Sequence, residues 1–69
     1  MFDPAYVADQ LTGAQQRRIM TLARSEKSLP WTRTDDALQA RDLVQRYSDN
    51  FDKAYAELKW KGQAVARAL

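Results

Sequence analysis

Leu11, Gln15, Ile19, Leu22 and Ala23 recur at the three- and four-residue spacing that places side chains on one face of a helix. Gln16, Arg17, Arg18 and Arg24 fall mostly on the outward side of the same turns. The run LTGAQQRRIMTLARSE, residues 11–26, therefore predicts an amphipathic helix. Thr12 suits its N-cap, and Gln15 three residues later completes a capping box. The helix is expected to end near Lys27–Ser28, because Pro30 disfavours a helical Leu29. A second apolar set, Ala37, Leu38, Ala40, Leu43 and Val44, predicts a helix over TDDALQARDLV. Thr34 would cap it, with Asp35 and Asp36 facing its positive dipole end. Ahead of both, Asp3 suits a cap and Pro4 a first helical position, so residues 3–9 predict one helical turn that sets Phe2 and Tyr6 on the core.

From Leu43 onward the pattern supports two structures. In one, LVQRY (43–47) is a strand, SDNFDK (48–53) a turn and AYAEL (54–58) the returning strand; Ser48, Asp49, Asn50 and Asp52 are good turn formers. In the other, residues 50–69 form one helix whose stripe is Phe51, Tyr55, Leu58, Gly62, Val65 and Leu69. Ala, Glu, Lys, Leu and Gln favour the helix, whereas Gly62 costs it about 1 kcal/mol relative to alanine. Periodicity alone leaves the two level.

Composition narrows the chemistry. The 69 residues contain no cysteine and no histidine, so neither a disulfide nor the commonest acid–base group or metal ligand is at hand. Asp35 and Asp36 are adjacent, and neighbours on a helix do not face each other. With no glycine-rich phosphate loop and no metal-ligand spacing, no catalytic, cofactor-binding or metal residue is expected, and the chain reads as a non-enzyme. No repeat or linker divides it, so residues 1–69 are expected to form a single domain with a core netting no more than about 3–5 kcal/mol. No apolar run approaches a membrane span and the acidic N-terminus lacks a signal-peptide plan, which points to the cytoplasm and away from membrane partners.

Net charge is only +2, but the signs are segregated. Arg17, Arg18, Arg24, Lys27 and Arg33 make residues 12–34 basic, and Lys59, Lys61 and Arg67 do the same for residues 59–69. The acidic block between them carries Asp35, Asp36, Asp42, Asp49, Asp52 and Glu57. If the first and last long helices lie side by side, the basic blocks form one face; otherwise they are ordinary solvated helix faces. Trp31 is either a plug under its loop or an exposed binding aromatic.

Three stretches together resemble winged-helix bacterial transcription regulators of the MarR-like kind. Leu11, Thr12 and Gln15 head a helix with Ile19 and Leu22. Ala37-Leu38 and Arg41-Asp42-Leu43-Val44 resemble the run that ends a helix and begins the wing. Tyr55 to Leu58, then Lys59-Trp60-Lys61-Gly62 and QAVARAL, resemble the close of the wing and the helix after it. The resemblance spans residues 11–69 and implies an α+β, mainly α fold: a winged-helix-like helix–helix–β-hairpin–helix, in place of the all-α three-helix bundle. The chain departs from the family twice. Lys59 stands where the family has a capping Thr, and a lysine cannot accept amide hydrogen bonds. Between Lys27 and Thr34 there is room for a loop only, so one helix of the family, and with it the usual base-reading element, is missing.

Two functions follow as expectations. In the first, Arg17, Arg18, Arg24, Lys27 and Arg33 neutralise DNA phosphates, joined by Lys59 and Lys61. The resemblance adds Arg46 and Lys53 on the wing, for weakly specific or non-specific, salt-sensitive DNA binding. In the second, the chain is a protein-interaction module of transcription, docking on the transcription machinery or another regulator through Trp31, Phe51 and Trp60. A homodimer through the C-terminal helix is a variant of the second. Core packing is the competing expectation for at least two of Trp31, Tyr47, Phe51 and Trp60.

Overall fold

The ambiguous C-terminal half is strand, turn, strand and helix in the computed structural model, which describes residues 1–69. The elements in chain order are α1 (Pro4–Gln10), α2 (Gly13–Arg24), β1 (Leu29–Pro30), α3 (Arg33–Ala40), β2 (Val44–Ser48), β3 (Ala54–Leu58) and α4 (Trp60–Ala68). β2 and β3 are antiparallel, with Val44 opposite Leu58 and Ser48 opposite Ala54. β1, too short to register in the sequence pattern, pairs with the other side of β3 through Leu29 opposite Ala56, giving the sheet order β1-β3-β2. The molecule is thus α+β, mainly α, with the helix–hairpin–helix arrangement of a winged-helix-like domain, and the continuous C-terminal helix does not form. No helix is long and apolar enough to cross a membrane.

Burial alternates along β3: Ala56 and Leu58 point into the core, while Glu57 faces solvent. Ile19 and Leu22 of α2, Leu38 of α3, Leu43, Val44 and Val65 of α4 close over them, with Ala8 and Leu11 completing the cluster. Gly62 explains itself here. A β-carbon on it would lie 2.2 Å from the Leu43 carbonyl oxygen and 2.9 Å from Leu58 Cδ2, so α4 can leave β3 this closely only with glycine at that position.

The local stops differ from the sequence expectations for identifiable reasons. α1 is nearly two turns, capped by Asp3, whose Oδ1 accepts from Ala5 N at 3.1 Å and Tyr6 N at 3.3 Å. The Thr12–Gln15 box forms as expected, with Thr12 N donating to Gln15 Oε1 and Gln15 N to Thr12 Oγ1. α2 ends at Arg24 and not near Lys27, because the Ser25 hydroxyl turns back to bond both Lys27 N and Lys27 O. α3 is capped by Thr32 rather than Thr34. It stops at Ala40, four residues early, in a Schellman turn: Asp42 N donates to Gln39 O, Leu43 N donates to Leu38 O, and Asp42 is left-handed with φ 63°. Ala23, Ala37 and Ala40, expected on the buried sides of their helices, face solvent.

Core packing, expected for at least two of the four aromatics, holds for Trp31 alone. Tyr47, Phe51 and Trp60 are exposed. Gly62 and Val65 define the inward face of α4, and a residue two positions before Gly62 lies about 200° around the helix from it. Phe51 sits in the turn between β2 and β3, at the hairpin tip.

Candidate nucleic-acid interface

Three of the nine cations expected to meet phosphate are paired with carboxylates of the chain itself, one in the interior and two at the surface. Arg18 turns inward from α2. Its Nε and Nη2 donate to the two carboxylate oxygens of Asp35 at 3.0 and 2.9 Å, and Nη2 also donates to Pro30 O at 2.9 Å. Asp35 is 0 % exposed and accepts further from Thr32 N at 2.8 Å and Thr32 Oγ1 at 3.1 Å. One bidentate pair therefore fixes α2, β1 and the first turn of α3 together. Asp35 was expected to act only as a helix-end charge; it is the buried acceptor of this junction.

Lys59 and Lys61 both reach Asp42, Lys59 through a direct ion pair and Lys61 at 3.4 Å. Their hydrogen bonds, Lys59 first, hold the Asp42 carboxyl below the usual carboxylate range. The Lys61 ammonium also lies 5.6 Å from the Phe2 ring centroid and 5.7 Å from that of Trp60. Lys59 caps α4 by position only, with no side-chain hydrogen bond to its first turn, as a lysine must.

The remaining cations line no common groove, although α2 and α4 do pack together. Arg17 and Arg24 line a groove of about 470 Å³ with Met20 and Leu69. Lys27 borders a separate pocket of about 260 Å³ beside Glu26 and Glu57. Arg33 is exposed at the first position of α3. Arg46 and Lys53 line a third groove of about 500 Å³ with Pro30, Trp31, Ala54 and Tyr55.

This third groove is the most organised. Trp31 N donates to Ala54 O at 2.9 Å, prolonging the β1–β3 contact by one residue. Its indole Nε1 donates to Asp36 Oδ1 at 2.8 Å, and the ring packs partly on the core. The Arg46 guanidinium carbon sits 5.2 Å from the ring centroid. Arg46 lies opposite Ala56 in the β2–β3 register, on the core-side face of the sheet, so the pairing itself carries it to the tryptophan. Neither Arg46 nor Lys53 has a carboxylate partner. Trp31 is thus both a plug and a partly exposed surface.

The turn above the groove is held by one side chain. Asp49 Oδ1 accepts from Phe51 N at 2.8 Å and Lys53 N at 3.0 Å, and Oδ2 accepts from Tyr55 Oη at 3.1 Å. These donors, the Lys53 amide foremost, depress the Asp49 carboxyl, while the same contact raises the Tyr55 phenol. Asp52 adopts a left-handed φ of 59°, and Phe51 is left 83 % exposed at the tip. On the solvent face Tyr47 Oη donates to Glu57 Oε1 at 2.9 Å, and that hydrogen bond raises the Tyr47 phenol.

A second aromatic contact lies where the N-terminal segment ahead of α1 meets α4. The Phe2 and Trp60 rings meet edge to face, 5.6 Å apart at 78°, with Phe2 half-buried and Trp60 66 % exposed. Of the three expected interface aromatics, Trp31, Phe51 and Trp60, each stands in a different place. Phe2, expected on the core, packs partly against it and meets Trp60, whereas Tyr6, expected there too, is turned out to solvent. Sequence spacing gave no signal for the Arg46–Trp31 and Arg18–Asp35 contacts, which exist only once strands and helices are paired. Comparison with protein-family models, with curated proteins and with solved structures finds no match to this chain.

Proposed function

We propose that the protein is a non-enzymatic, cytoplasmic nucleic-acid-binding module of the winged-helix-like kind that its sequence resembles, with the wing side as the contact surface. One observation carries this reading: Arg46 and Lys53 flank an aromatic groove without carboxylate partners, whereas Arg18 is held by buried Asp35 and Lys59 and Lys61 share Asp42 at the surface. α3 is only eight residues long and its first turn is engaged by buried Asp35, so phosphate contacts dominate over base reading in the major groove. A transcription-associated role follows from that resemblance.

The test is a titration of fluorescent random duplex and single-stranded DNA across a salt series. With only a few phosphates neutralised, log K should fall against log salt with a slope of about −2 to −4, shallower than all nine cations acting together would give. Failure to bind either form below about 100 µM at low salt would overturn the reading.

A second reading rests on a different surface. Exposed Trp60 meets half-buried Phe2 edge to face beside Lys61, the kind of composition that anchors protein interfaces. A protein of the transcription machinery or a second copy of the chain would dock there. Loss of a captured partner, or of a dimer in sedimentation, on Trp60→Ala with DNA affinity unchanged would favour it.

A further inference from the structure

We infer that the groove of Trp31, Arg46 and Lys53 takes one nucleotide of a single strand, the base stacking on the Arg46–Trp31 pair and the phosphate resting on Lys53. The inference builds on the nucleic-acid reading and names the form of nucleic acid that the wing side selects.

Four features support it. The groove is open to solvent and, at about 500 Å³, has room for one base lying against its floor. Its floor is fixed: Trp31 is held at the backbone by Ala54 O, at the indole nitrogen by Asp36, and beneath by the core, so little ordering remains to be done on binding. The guanidinium over the ring adds a second flat cationic surface. A planar guanidinium can stack on an aromatic face and still point its edge N–H groups at a phosphate, which an ammonium cannot. The charges are also sorted in favour of an anion. Arg46 and Lys53 are unpaired, Asp36 is turned to the indole N–H, and Asp49 is enclosed by three donors; only Asp52, at the tip, is an exposed acid of the same turn.

The choice of a single strand comes from the stacking surface. Bases in a duplex already have both faces covered, so a Trp–Arg platform gains nothing from them, whereas an unstacked base has a face to offer. Any base satisfies it, and the groove therefore reads strandedness with little sequence preference.

The chain has two tryptophans, so Trp60→Phe leaves Trp31 as the only indole reporter. That variant is titrated with oligothymidylate, with an abasic oligonucleotide of equal length, and with a blunt duplex, all at one salt concentration. Oligothymidylate should quench Trp31 emission and bind about tenfold or more tighter than the abasic strand, as one stacked base provides. Arg46→Lys, which keeps the charge but removes the flat surface, should erase the preference for thymidylate over the abasic strand while preserving the salt slope. Lys53→Gln should weaken both strands alike. Circular dichroism checks that each variant is folded. Equal affinity for the abasic strand and thymidylate overturns the inference. Duplex binding without change in Trp31 emission also overturns it, yet leaves the nucleic-acid reading standing. Binding of none of the three removes both.

Discussion

Gly62 shows how far a single residue's meaning depends on what lies opposite it. Along the sequence it is a defect in a helical stripe; in the fold it is the only residue that lets α4 rest on the Leu43 carbonyl. Gly62→Ala should therefore destabilise the protein by about 1–3 kcal/mol through overpacking, despite alanine's advantage of about 1 kcal/mol in helix propensity. A urea titration of the variant checks the sign, and a stabilised variant would refute the close approach. Asp35 is the second case. Its neighbour Asp36 and the helix behind it were legible, but its burial was not, because the partner Arg18 belongs to another helix. Arg18→Met strands a fully buried carboxylate with only Thr32 as donor and should cost about 3–5 kcal/mol. Adding Asp35→Leu to that variant should recover part of the loss, since a buried pair replaced by apolar groups is often neutral. Equal destabilisation by the single and double changes would argue against the pair.

At the level of elements, the sequence was informative wherever the stop or start signal is local. Thr12 and Gln15 announce α2 with a reciprocal box, and the acidic, asparagine-bearing turn after Ser48 announces the hairpin. It was silent where the signal is a backbone reversal at an unexpected residue. α3 ends because Asp42 takes the left-handed conformation that usually calls for glycine or asparagine, and nothing in RDLV marks it. The two strands were within one residue of their expected limits, whereas β1, at two residues, has no periodicity to read. The missing cap of α4 was legible and carries a prediction. Lys59→Ser supplies an acceptor worth about 0.5–2 kcal/mol and gives up a surface ion pair worth about 0–1 kcal/mol, Lys61 still facing Asp42. The melting temperature should rise; a fall would mean that the Lys59–Asp42 pair matters more than its exposure suggests. In the hairpin turn, Asp49→Ala removes the acceptor of two amides and a phenol. Hydrogen exchange of the Phe51 and Lys53 amides should accelerate while the core amides of β3 keep their protection.

For the molecule as a whole, charge is where the linear reading and the fold diverge most. Two basic blocks around an acidic one are compatible with either a single positive face or ordinary solvated helix faces; the fold spends Arg18, Lys59 and Lys61 on acids of the middle block and distributes the others over separate grooves. The titration behaviour follows from the same placement. The Asp42 and Asp49 carboxyls are depressed in the fold, so their contribution is complete above the ordinary carboxylate value of about 3.9 and is lost as pH falls through their lower folded values. The Tyr47 and Tyr55 phenols are raised, so theirs is complete below about pH 10 and is lost as pH climbs through their higher folded values. With no histidine in the chain, thermal stability should be flat from about pH 5 to 9 and decline on both sides; a step near neutrality would contradict this assignment. The contact of α1 with α4 has a consequence of another kind. During synthesis α1 and α2 leave the ribosome first, while Val65 and the Gly62 surface that complete their core are still being made. Every nascent chain shorter than residue 60 carries an uncovered apolar face, so folding waits for α4 and happens after translation of the domain. A ribosome stalled before Trp60 would display a protease-sensitive chain, and one that has fully extruded α4 a resistant one.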